Sequence, residues 1–113
     1  MKNLLNKTPV FLNDWSSKEA LENDFQTSLA DVNVLFASYS YQDYNGDAFV
    51  LFEKDGKLYE VNGSHCSCYG LEGQWNPEET NIAALKHRLY EGSMGNERYC
   101  GNIYADELKA FLG

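Results

Sequence analysis

Basic residues are scarce in this chain, and their scarcity is local. Nine Lys and Arg stand against seventeen Asp and Glu, a formal net charge of −8, and from Glu19 to Glu53 there is no Lys or Arg at all. Proteins that hold nucleic acid or an anionic membrane by neutralising phosphates need the opposite balance, so the composition argues against both classes. Long apolar runs are lacking as well. No stretch approaches the ~18 apolar residues of a membrane span, and polar residues interrupt the segment from Met1 to Pro9 before it reaches signal-peptide length, so a cytoplasmic protein is expected. Cysteines number three, Cys66, Cys68 and Cys100. An odd count suits free thiols in a reducing compartment better than a secreted disulfide framework, and at most one bridge could close. With only two prolines and no linker, repeat or low-complexity tract, the 113 residues read as a single domain spanning 1–113. What the chain has in quantity is apolar surface: 43% hydrophobic and 14% aromatic residues, enough for one core without staples.

The patterning divides this material into helices and strands. Ser16 followed by Glu19 forms a capping box, and Leu21, Phe25 and Leu29 recur behind it at helical spacing, predicting a helix that ends near Leu29 to Asp31, with Trp15 packed on its first turn. The preceding Thr8 to Asp14 reads as an extended lead-in. Three strands follow, around Val34 to Tyr41, Ala48 to Phe52 and Leu58 to Val61, separated by Asn45-Gly46 and Asp55-Gly56, the dipeptides that best suit type I′ hairpins. Two-residue turns at those sites oppose Phe52 to Tyr59 and Val50 to Val61 in one hairpin, and Tyr41 to Val50 and Tyr39 to Phe52 in the other. One sheet face then carries Tyr39, Tyr41, Val50, Phe52, Tyr59 and Val61. The other is mixed, with Phe36, Ser38, Ser40, Phe49, Leu51, Glu53, Leu58 and Glu60. Helices are expected on the first face, and other chain or a partner on part of the second, where Phe49, Leu51 and Leu58 also make a homodimer possible. Asn76-Pro77-Glu78-Glu79 reads as a helix start with Asn76 as cap; Ile82, Leu85 and Leu89 form its stripe and Gly92 its stop. A last short helix from about Tyr104 to Leu112 would bury Leu108, Phe111 and Leu112. The expectation is an α+β domain of order αβββαα, a three-stranded antiparallel meander with helices packed on one face.

The densest chemistry lies between Gly63 and Trp75, where two thiols, an imidazole and an indole share a glycine-rich loop. Three readings stand side by side. His65, Cys66 and Cys68, with Cys100 or His87 as a fourth ligand, could hold zinc, although Cys-x-Cys is tighter than the usual ligand spacing and no second pair exists. Cys66 or Cys68 could act as a nucleophile if His87 approached as base through tertiary packing. In the third reading Cys66 and Cys68 are small packed thiols in a loop anchored by Tyr69 and Trp75. Asp43 and Asp47 lack the rest of a calcium loop and read as turn residues. Ser64 beside His65 forms no triad, and no phosphate-binding glycine loop is present. Lys86, His87 and Arg88 make the one local basic cluster, read as a solvated helix face. Tyr39, Tyr41, Tyr44, Tyr59 and Tyr69 crowd the predicted sheet beside the acidic window, a composition that suits a protein-binding surface with an aromatic centre and an acidic rim.

The run from Tyr39 to Glu79, with DYNGDAFVLFEKDGKLYEVNGSHCSCYGLEGQWNPEE as its body, resembles a group of short proteins encoded by bacteriophages and prophages, and GSHCSCYGLEGQW is its signature. The resemblance covers about a third of the chain and carries no catalytic or binding residue with it. It implies a context, since small acidic phage proteins often occupy a host enzyme or defence complex, as anti-CRISPR proteins and DNA mimics do. The expected role is therefore a non-enzymatic inhibitor that meets a basic surface of a host protein through Asp43, Tyr44, Asp47, Glu53 and Glu60, with Cys66, Cys68 and Trp75 holding the loop. A zinc-binding accessory protein using His65, Cys66, Cys68 and Cys100, and a thiol-dependent enzyme, are the alternatives.

Overall fold

The tight turn at Asp55-Gly56 sets the centre of the molecule. In the computed structural model both residues have positive φ, 55° and 79°, as a type I′ turn requires. The Glu53 carboxylate accepts from the Gly56 N–H at 2.8 Å, bracing the turn. The hairpin it closes joins β3 (Asn45–Lys54) to β4 (Lys57–His65) in the expected register, Phe52 opposite Tyr59 and Val50 opposite Val61. The structure describes residues 9–13, 15, 17–42, 45–65, 71, 73–92, 96–97, 101–102 and 104–112.

Around this hairpin the α+β class holds, but the order αβββαα and the three-stranded meander do not. A strand β1 (Val10–Asn13) precedes the first helix, α1 (Lys18–Phe25), and pairs in parallel with β2 (Asn33–Gln42). A short β5 (Glu78–Thr80) adds antiparallel to β4. The result is a five-stranded mixed sheet whose spatial order, β1-β2-β3-β4-β5, is also the chain order. The chain continues through α2 (Ile82–Glu91), a two-stranded ladder of β6 (Asn96–Glu97) and β7 (Gly101–Asn102), and α3 (Ala105–Leu112).

The structure departs from the sequence expectation at four places. First, Asn45-Gly46 is not the β2–β3 turn: Asn45 and Gly46 lie inside β3, opposite Gln42 and Tyr41, and the connection is 43–44, outside the described residues. Tyr39 consequently faces Ala48 rather than Phe52, a slip of four residues. An even slip leaves every side chain on its original face, so alternation of apolar residues cannot choose between the two registers. Second, α1 is capped by Ser17, whose hydroxyl accepts from Ala20 N–H, and it ends at Phe25, with Gln26 in the left-handed region at φ 57°. Leu29 is buried beyond the helix end, its N–H held by the Glu22 carboxylate at 2.7 Å. Third, Asn81 rather than Asn76 caps α2, its Oδ1 accepting from Ala84 N–H at 2.8 Å, because Glu78–Thr80 is taken up by the edge of β4. Pro77 favours that outcome by disfavouring helical backbone at Asn76.

The fourth correction concerns the layers. Helices cover both faces of the sheet. Trp15, Leu21 and Phe25 pack on Tyr39, Val50, Phe52 and Val61. On the other face Leu85 and Leu89 of α2 and Leu108, Phe111 and Leu112 of α3 pack on Phe36, Phe49, Leu51 and Leu58. The mixed second face is thus buried by the chain's own C-terminal helices rather than by a partner. A bulge between Val34 and Phe36 lets Leu35 and Phe36 both enter this second cluster, while Val34 enters the first. Phe36 is its aromatic centre, with ring centroids 6.2 Å from Phe49, 6.1 Å from Tyr104 and 5.8 Å from Phe111. Among the described residues no helix is long and apolar enough to cross a membrane.

Candidate functional site

Register gives the sheet two unlike ends. At the end of the Asp55-Gly56 turn stand Lys54 and Lys57, paired across the hairpin. Lys54 Nζ lies 3.7 Å from Asp31 in a solvent-exposed pair, and Lys18 Nζ donates to Val32 C=O at 2.8 Å, just ahead of β2. Between Lys54 and Asp31 an exposed ion pair contributes little, on the order of 0–1 kcal/mol.

At the opposite end Gly46 pairs with His65, and Asp47 lies in one row with Ser40 and Ser64. The expected contact residues Asp43 and Tyr44, between β2 and β3 in the sequence, lie outside the described residues. His65 is the last residue of β4, and Cys66 and Cys68, also outside the described residues, come next in the chain. The register therefore brings the end of β4 beside the start of β3, a juxtaposition that spacing along the sequence does not reveal. No Lys or Arg occurs in β2, in β5 or in β4 beyond Lys57, and Lys54 alone interrupts β3.

The five expected contact residues do not form one patch. Glu53 lies six positions beyond Asp47 along β3, roughly 20 Å at strand rise. Glu53 belongs to the lysine end, where it braces the turn. Glu60 is 5% exposed and lies under α2, so it is removed from the surface set. Its carboxylate pairs with the Arg88 guanidinium and accepts from Asn62 Nδ2 at 2.9 Å. Burial pushes this carboxyl up, but hydrogen bonds with Arg88, Thr80 and Asn62, together with the Arg88 charge, outweigh burial and hold it below the ordinary glutamate value. Where the sequence alone puts Arg88 on a solvated basic face, the structure turns its guanidinium onto Glu60. Its inward turn leaves His87 exposed on α2 and joins the helix to the sheet.

The loop after β4 returns onto the α1 face. Leu71 is buried there, and Trp75 packs edge-on against Phe25 at 5.1 Å and stacks on Phe52 at 5.4 Å. Phe52 in turn stacks on Tyr59 at 5.4 Å. Gly63 is the close-approach point, since a Cβ there would meet Gln74 Oε1 at 3.2 Å and Leu71 Cδ2 at 3.3 Å. Leu71 and Trp75 are thus visible anchors, whereas the zinc set of His65, Cys66, Cys68 and Cys100 turns on three cysteines outside the described residues. Among the described residues no three His, Cys, Asp or Glu side chains gather as a metal-ligand group. Comparison with protein-family models, with curated proteins and with solved structures finds no match for this chain, so its function is read from the residues themselves.

Proposed function

We propose that this chain is a non-enzymatic interaction protein of the phage-encoded inhibitor type, which presents the acidic end of its sheet to a basic groove on a host protein and blocks a nucleic-acid-handling or defence activity, as anti-CRISPR proteins do. The observation that carries this reading is the polarity of the sheet: Lys54 and Lys57 stand at one end, and Asp47, four residues after Asp43 in the sequence, near the other. Carboxylates gathered away from neutralising cations steer a basic partner and fix its register more than they add affinity. Asp43, Tyr44 and Asp47 form the contact set, with Tyr44 as the aromatic anchor. Glu53 lies at the far end and Glu60 inside, so neither belongs to it.

The test is capture from bacterial lysate by three purified baits: the native chain, D43K/D47K, and E78K/E79K, which makes the same charge change on β5. A stoichiometric host protein held by the native chain and by E78K/E79K but not by D43K/D47K, and released as salt rises, supports the reading. Equal capture by all three baits, or loss from both variants alike, overturns it. If no bait captures a protein while the native chain retains one zinc ion and loses thermal stability in chelator, the metal-binding alternative at His65, Cys66, Cys68 and Cys100 replaces it.

A further inference from the structure

We draw no further inference here: the strongest candidate, the half-buried rings of Tyr59 and Trp75 beside the exposed Glu78 and Glu79 of edge strand β5, carries nothing because nothing in the structure shows what covers it.

Discussion

Glu60 and Arg88 sit 28 residues apart in the chain and meet in a part-buried, hydrogen-bonded pair. Removing the cation leaves the buried carboxylate with only Asn62 and Thr80 to hold it. Arg88→Ala should therefore cost about 2 kcal/mol, less than the ~3–5 kcal/mol of a fully buried pair because the Arg88 side chain is 43% exposed. Urea unfolding at neutral pH measures this. A paired replacement, Glu60→Leu with Arg88→Met, should recover most of the loss, since apolar groups of similar size leave no unpaired charge. The same carboxylate makes a signed pH prediction. Its folded value is lowered, so its stabilisation is complete above the ordinary glutamate range and disappears as pH falls through the folded value. Acid titration of stability should accordingly be shallower for Glu60→Gln than for the native chain, with the two curves converging at the acid end. At this scale the sequence was a poor guide. Glu60 alternates correctly with its strand neighbours, yet nothing local distinguishes a carboxylate facing solvent from one facing an arginine on a helix that begins more than twenty residues later.

Elements were more legible where their signals are local. Asp55-Gly56 forms the expected turn because positive φ at two successive positions admits few residue pairs, and Leu108, Phe111 and Leu112 are buried as their helical spacing implies. Signals failed where a distant strand competed for the same residues. Asn76-Pro77 has the chemistry of a helix start, but β4 offers Glu78–Thr80 a ladder, and the helix waits for Asn81. Two substitutions separate the caps: Asn81→Ala should lower stability by about 1 kcal/mol, whereas Asn76→Ala should change it by no more than a few tenths. The far end of α2 provides another check. Gly92 has extended backbone, yet a Cβ there would lie 2.9 Å from the Arg88 carbonyl oxygen. Gly92→Ala should therefore destabilise rather than stabilise, reversing the usual gain from glycine replacement; thermal melts of the two proteins decide it. The parallel strand β1 was read as an extended lead-in because a four-residue strand without turn chemistry carries no marker of its partner.

For the whole molecule, the main consequence of the fold is that one sheet serves two cores. Both tryptophans lie on the α1 side, Trp15 buried and Trp75 packed against the same cluster, whereas Leu108 lies on the other side, on the buried face of α3. Leu108→Ala opens a cavity that should cost about 2–5 kcal/mol. Because adjacent residues such as Phe49 and Val50 tie both layers to one strand, the loss should appear in full in tryptophan fluorescence and coincide with the far-UV circular dichroism transition. A fluorescence midpoint unmoved by Leu108→Ala would mean that the two layers unfold separately. The acidic expectation also belongs at this scale. The net charge was legible from composition, but which acidic residues share an end of the sheet depends on register, which alternation leaves undetermined.

The agreement between spatial and chain order in the sheet also bears on how the protein is made. Within this sheet each strand has as its neighbour the one synthesised just before it, so no later strand has to insert between two that can already pair. α1 is complete before β2, so the first face can be sheltered as the sheet widens. Phe36, Phe49, Leu51 and Leu58 must wait for α2 and α3, which follow the sheet in the chain. An unfinished chain thus carries a finished side and a bare apolar side, and the interval before Leu112 emerges is when a nascent copy is most exposed to chaperones and to its neighbours on the same message.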